Sequence, residues 1–289
     1  MIRIGIFFLL ATIFYSCSTQ EDSIHINDIS PWCVVSFDSL ERKPMDRILM
    51  LKEMGFSKYG YSWREEHLPI MVEEFALAQE HDLEVVSIFL WLNPKRDSIG
   101  KLSPLNKKLL KNLKEIKNKP AIWVSFSESY FKDLTQEESL ALAIDYVKFV
   151  KSRADQVGCK LALYNHHGWF GNPDNQIEII KQLPDAGLKM AYNFHHAHDY
   201  LDVYPKILKK IIPYLTYVNL NGMEKDGEKI LTLGEGNYEY KMIKTLLDEG
   251  YKGPWGVIGH IKTEDVRIVL ERNMAGLKSI NTKLSKEKN

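Results

Sequence analysis

Residues 84–91, "EVVSIFLW", form an almost unbroken apolar run between the helical pattern "LPIMVEEFALAQEHD" and a polar stretch that begins at Asn93. A strand with one wet face would alternate apolar and polar residues. A nearly continuous run of this length is what a strand covered on both faces looks like. Seven further short β-type runs accompany it, most of them nearly continuous in the same way: "WCVVSFD" (32–38), "FSKYGYSW" (56–63), "AIWVSFS" (121–127), "KLALYNH" (160–166), "LKMAYNFH" (188–195), "LTYVNLNG" (215–222) and "GPWGVIGH" (253–260).

Between these runs lie amphipathic stretches such as "MDRILMLKEMG", "EESLALAIDYVKFVKSRADQVG" and "YEYKMIKTLLDEGY". Their apolar residues recur at i, i+3, i+4 and i+7, and Gly55, Gly158 and Gly250 stand where helices end. Eight strand-then-helix units in one chain predict a single (β/α)8 barrel, with a doubly wound open sheet as the alternative.

The N-terminus places Arg3 ahead of an apolar run from Ile4 to Tyr15, followed by small residues around Cys17. That run is too short for a bilayer, which needs about 20 residues, and its layout is that of a secretory signal. Ser16-Cys17 followed by "STQED" resembles a bacterial lipoprotein signal, with plain cleavage as the alternative. The expected organisation is a signal over 1–17 with a lipidated Cys17, a linker over 18–30, a barrel over 31–282 and a basic tail over 283–289. The protein is then exported and anchored by lipid to a bacterial membrane, facing the periplasm or the cell surface. Cys33 and Cys159 sit in strand-like runs and read as buried free thiols.

Lysine plus arginine equals aspartate plus glutamate, 38 each, with no long block of one sign. This argues against a nucleic-acid partner and leaves the lipid anchor as the only expected membrane contact.

A barrel of this kind carries its chemistry at the C-terminal ends of its strands. Of nine histidines, His166, His167, His195, His196, His198 and His260 fall at the ends of the fifth, sixth and eighth runs. Sequence neighbours on a strand point to opposite sides, so one of His195 and His196, and one of His166 and His167, is expected to face away from the mouth. Imidazoles grouped in a pocket can transfer protons or bind a divalent metal. If a metal binds, His166, His196 and His260 are the expected ligands, with Glu128 as a fourth. Asn165, Asn193, Asn219 and Asn221 recur beside these histidines, and amides with aromatic neighbours such as Trp169 suit sugar hydroxyls and sugar faces. Asp174 or Asn175, and Asp199 with Asp202, read as helix starts. The glycines of "LTLGEGNYEY" read as a tight turn rather than a phosphate loop, so no phosphorylated substrate is required.

The strand ends resemble those of the xylose-isomerase-like TIM barrels, a superfamily of sugar isomerases, epimerases and AP endonucleases of the endonuclease IV type. "LALYNH" is similar to the family's strand five, "YNFHHAHD" to its strand-six Asp-x-x-His motif, "YVNLNG" to its strand-seven His-x-x-Asp segment and "LGEGNYEYKMIKTLLDEGYKGPWGV" to its closing helix and strand. The resemblance implies a metal held by carboxylates and a histidine from strands five to eight. At those positions this chain has Tyr164, Asn193, Asn219 and Gly259, and only His196 matches. Neutral amides offset a cation's lost hydration poorly, so the family's usual metal site is expected to be missing and no cofactor is required.

The chain also resembles an exported branch of the superfamily with "YNH" on strand five and Asn-x-x-His on strand six. Related barrels act beside the 3-keto carbon of oxidised glucosides. The resemblance therefore implies an isomerase, epimerase or keto-sugar lyase or hydratase acting on a small carbohydrate by proton transfer beside a carbonyl. His166 and His196 are the expected acid–base pair, assisted by His260 and Glu128. Asn165, Asn193, His198, Asn219, Asn221 and Trp169 are expected to orient the sugar. The competing expectation is a non-catalytic, surface-anchored sugar-binding barrel.

Overall fold

The computed structural model describes residues 23–287. The signal and Cys17 lie outside the described residues. Eight parallel strands form one sheet: β1 (Ile29–Trp32), β2 (Lys58–Tyr61), β3 (Glu84–Leu92), β4 (Ala121–Phe126), β5 (Leu161–Tyr164), β6 (Lys189–Asn193), β7 (Leu215–Leu220) and β8 (Trp255–Ile258). The helices are α1 (Pro44–Glu53), α2 (Met71–Glu80), α3 (Pro104–Glu115), α4 (Gln136–Gln156), the short α5 (Gly168–Gly171), α6 (Pro173–Gln182), α7 (Tyr204–Ile211), α8 (Glu239–Asp248) and α9 (Val266–Lys286). Ladders run β1-β8-β7-β6-β5-β4-β3-β2, each strand parallel to its neighbour, which makes a single, nearly closed (β/α)8 barrel.

The remaining seam lies between β1 and β2, and Pro31 removes one donor from it. The Trp32 carbonyl accepts from Gly259 N–H on the β8 side at 2.8 Å, so the backbone groups of Pro31 point the other way, toward β2. A proline there has no N–H to give.

The first strand lies earlier than the run "WCVVSFD" suggests. Cys33 adopts φ 61°, a left-handed conformation that ends the strand after Trp32. The expected 18–30 linker is corrected accordingly, since Ile29 and Ser30 are fully buried strand residues. Ahead of them, Ile24 is buried and exchanges backbone hydrogen bonds with the Asn281 amide of α9 at 3.1 and 2.9 Å. The expected basic tail is corrected too: Leu277, Ile280 and Leu284 continue one apolar stripe, and α9 runs to Lys286.

Large aromatics fill the barrel interior. Trp123 packs against Trp32 at 4.6 Å, Tyr217 at 4.8 Å and Tyr164 at 5.6 Å between ring centroids. Small residues make room for them. A β-carbon on Gly60 would overlap the Trp32 ring, and Ala162 and Ala191 occupy other inward positions. This aromatic layer is the floor on which the strand-end residues stand.

Candidate functional site

The fifth strand ends at Tyr164, and His166 N–H turns back to the Tyr164 carbonyl at 2.8 Å. His167 then takes φ 51°, outside strand geometry. The next residue, Gly168, takes φ 62°, a left-handed conformation that favours glycine, and a β-carbon there would also meet the Glu128 side chain. On the sixth strand, Asn193 Oδ1 accepts from His195 N–H at 3.1 Å and caps a 3-10 turn from Phe194 to His196. Both histidine pairs therefore lie past the strand ends. The alternation expected to send one of each pair away does not apply, and that expectation is corrected.

His166, His167 and His196 meet pairwise with ring centroids 4.5 Å apart. His195 stands 4.5 Å from His196 and 5.2 Å from His260, which meets Phe37 edge-on at 3.9 Å. His166 is backed by Trp91 at 4.9 Å and Phe89 at 5.7 Å. His166, His195, His196 and His260, together with Tyr164, Asn193, Arg64 and others, line a cavity of about 130 Å3 above the aromatic floor. A wider groove of about 390 Å3 at the opposite end, beneath α2 and α3, is lined by no histidine.

Burial removes water from these imidazoles, and neighbouring imidazoles would repel a second positive charge. Both effects favour the neutral form. The His166 pKa falls to about 3 and those of His195 and His260 to about 4, while His196, His167 and His198 are also lowered. Arg64 adds to the depression at His260. At neutral pH the group is a set of uncharged bases.

Two histidines have their tautomer fixed by carbonyls, which can only accept. His195 Nδ1–H donates to the Lys229 carbonyl at 3.0 Å and His198 Nδ1–H to the His195 carbonyl at 3.0 Å. His195 therefore keeps Nε2 as its basic nitrogen. Nδ1 of His166 and Nδ1 of His196 are buried and have no partner.

The asparagines divide by role. Asn165 clamps β5 to β6: its Nδ2 donates to the Asn193 carbonyl at 3.0 Å and its Oδ1 accepts from Asn193 N–H at 2.7 Å. Asn193 lines the cavity and donates to the Tyr164 hydroxyl at 2.8 Å. Asn219 is fully buried with neither amide atom paired. Asn221 donates to the Gly222 carbonyl at 2.7 Å and so holds its own loop.

Trp169 departs from its expected role. Its indole N–H donates to Gln136 Oε1 at 2.7 Å and its ring packs on Phe131 at 4.8 Å, away from the cavity. His198 lines a separate cleft with Asp199 and Lys225. Glu128 is exposed on the turn after β4, where its charge favours protonation of His167. The expected helix starts are also corrected: Asn172 caps α6, and α7 begins at Tyr204, with Asp202 paired to Lys225 at 2.7 Å.

The glycine loop "LTLGEGNYEY" turns its amides inward. Glu239 Oε1 accepts from Gly234 and Gly236 N–H at 3.0 and 2.9 Å, and its Oε2 accepts from Met223 N–H at 2.9 Å. A buried carboxylate of the chain itself thus occupies the donors a phosphate would use.

His167, His195, Arg64 and Tyr164 belong to this cluster or line its cavity, although the sequence reading gave none of them a catalytic or sugar-binding role. A strand ending two residues before each histidine pair, with Asn193 as a turn-forming cap on the sixth, is the signal that places the first two.

The donor set admits a metal in one place only among the described residues. The positions that the resemblance assigns to the family's ligands carry Tyr164, Asn193, Asn219 and Gly259, neutral groups that offset the lost hydration of a divalent ion poorly. His166, His167 and His196, in contrast, bring a nitrogen each to within 4.8 Å of one another, and two of them have unpartnered buried Nδ1 atoms. Three neutral imidazoles suit a zinc-type ion. His260, the expected third ligand, is not in this trio.

Among curated proteins, none matches the chain. Solved structures do. A 3-keto-D-glucoside 4-epimerase from E. coli is 16% identical, with a TM-score of 0.64, covering 88% of this chain and 99% of that one. A probable 3-DHS dehydratase from Bacillus anthracis is 14% identical, with a TM-score of 0.64, covering 86% and 98%. A D-psicose 3-epimerase from Clostridium cellulolyticum H10 is 15% identical, with a TM-score of 0.61, covering 88% and 99%. Such distant likeness establishes a shared barrel. Residues 52–273 match the family model described as xylose isomerase-like TIM barrel, and the chain belongs to that family.

Proposed function

We propose that this protein is a carbohydrate-active enzyme that transfers a proton beside the carbonyl of a sugar or keto-sugar, as an epimerase, isomerase or keto-glycoside lyase or hydratase. One observation carries the reading: four neutral histidines line a single cavity, and two of them have buried nitrogens with no partner. An orphaned buried donor or acceptor costs about 1–3 kcal/mol, which a ligand can recover. Two epimerases and a dehydratase among the solved structures of this shape support the class of substrate.

In this reading a neutral imidazole takes the proton α to the carbonyl, and a second one returns it or protonates the enolate oxygen. His166 and His196 are the acid–base pair. His195, held in one tautomer by the Lys229 carbonyl, and His260 face them as the second pair. Asn193 and Tyr164 orient the sugar from the floor, while Asn165 positions the turn and Glu128 acts through His167. Export and the lipid anchor at Cys17 remain part of the proposal, and the partner is a small carbohydrate rather than nucleic acid.

The histidine trio favours a second reading of the same site. A divalent ion held by His166, His167 and His196 would supply Lewis-acid polarisation of the carbonyl. His195, whose Nε2 stays free, would then be the base. Replacing His167 with alanine separates the two. Retained turnover with unchanged metal content supports the metal-free pair; parallel loss of bound metal and turnover supports the trio. If alanine at both His166 and His196 leaves turnover of a 3-keto-glucoside unchanged, both readings fail.

A further inference from the structure

The histidine cavity, at about 130 Å3, is smaller than the roughly 300–1,000 Å3 of ordinary small-molecule pockets. Beside it, over the loops that follow β1 and β2, lies a cleft of about 650 Å3. The two share Phe37 and Arg64 as a common wall.

The far side of the cleft is tied by ion pairs. Arg42 bonds Asp38 and Asp265 at 2.8 Å each, and the buried Arg47 bonds Glu74 at 2.8 and 3.1 Å. Arg64 differs from both. Its guanidinium lies 5.3 Å above the Phe37 ring and donates to the Trp63 carbonyl at 2.8 Å, and no carboxylate pairs with it among the described residues. A guanidinium has five N–H donors, so most of those on Arg64 remain available at the junction of the two spaces.

The charge of the cleft narrows its ligand. With Arg42 and Arg47 neutralised, Lys43, Arg64 and Lys262 face Glu41, Glu65 and Glu66. A balanced wall suits a neutral, polyhydroxylated group better than a phosphate.

We infer that the cleft is a second subsite, which receives the non-reacting part of a glycoside, a second sugar or an aglycone of similar size and polarity, while the keto ring occupies the histidine cavity. This rests on the reading of that cavity as a keto-sugar site. Arg64 and the Phe37 face mark the passage between the two rings of such a substrate.

Calorimetry of the full chain with methyl 3-keto-glucopyranoside and with a 3-keto disaccharide of the same reacting ring tests it. The disaccharide is expected to bind at least about tenfold tighter, a gain of about 1.4 kcal/mol. In Ile70→Trp, which fills the cleft from its edge, and in Arg64→Ala, that advantage should fall away, with thermal melting used to establish that both variants are folded. Equal affinity of the two ligands for the native protein, or an advantage that survives in both variants, overturns the subsite while leaving the cavity reading intact. Binding of neither ligand overturns both.

Discussion

A buried polar cluster on the β2 side of this barrel and a half-buried one on the β5–β6 side are built on opposite terms. Around Arg47 every group is answered: the guanidinium bonds both Glu74 oxygens and the Arg42 carbonyl, and the Tyr59 and Tyr61 hydroxyls donate to the same carboxylate at 3.3 and 3.1 Å. Around His166 and His196 the groups are neutral, crowded and left open. A satisfied network fixes helices α1 and α2 against β2, whereas an unsatisfied one at a cavity wall is poised for something from outside. Unpartnered buried atoms occur elsewhere too, at Ser139, Gln176 and Tyr240, so it is their gathering with four histidines around one cavity that supports the reading of a site.

The comparison breaks most visibly at Glu74. Glu74→Ala leaves the Arg47 charge buried and unpaired, which is expected to cost about 3–5 kcal/mol of stability. Denaturant titration checks it; a loss below about 1 kcal/mol would mean the cluster does not hold α1 and α2 to β2. The equivalent change in the open cluster has the reverse profile. His196→Ala removes an unpaired group, so its stability should stay within about 1 kcal/mol of the native protein while turnover is lost.

Asn165 sharpens the boundary between the two kinds of cluster. Its amide makes two hydrogen bonds to the Asn193 backbone, so Asn165→Ala is expected to cost about 1–3 kcal/mol and to lower kcat by displacing His195. A variant of native stability and native kcat would mean that Asn165 does not clamp β5 to β6.

The histidines also set a pH dependence. An unfolded histidine titrates near its ordinary pKa of about 6.5. His166, His195 and His260 in the folded protein take a proton only near pH 3 to 4. Between those values the unfolded chain binds more protons than the folded one, so stability rises with pH from about 4 to 6.5 and falls as pH is lowered through that window. Melting temperatures across pH 4 to 8 should show this slope, and it should flatten in a His166→Ala, His260→Ala double variant. An unchanged slope in that variant would return the titration to other groups.

The smallest effect is expected at Trp169. Trp169→Phe loses only the hydrogen bond to Gln136, about 0.5–1.5 kcal/mol, and should leave turnover as it was. A large fall in kcat/KM would bring this ring back to the sugar.

Much of the architecture was legible from the chain. Continuous apolar runs with helical patterns between them specify buried parallel strands, and seven of the eight observed strands fall within their predicted runs to within a residue. The eighth shows why pattern alone failed. "ISPW" is shorter and contains a proline, while "WCVVSF" is richer in β-type residues but is turned aside by the positive φ of Cys33. Hydropathy does not encode that backbone choice. The histidines could be placed at the mouth from order along the chain. Their partners could not, because a 3-10 turn capped by Asn193 and the left-handed His167 redirect side chains that strand alternation would have split. Long-range hydrogen bonds also reassigned Trp169 to helix packing, and Glu239 to the glycine loop.

The central claim is proton transfer at this cavity. Incubation of the protein with a 3-keto-glucoside in deuterated water, followed by NMR, tests it most directly. Deuterium entering at a carbon adjacent to the carbonyl with the native chain, and not with His166→Ala or His196→Ala of native fold, is the predicted result. Bound substrate with no exchange above the uncatalysed rate, or exchange unchanged in both variants, would contradict it.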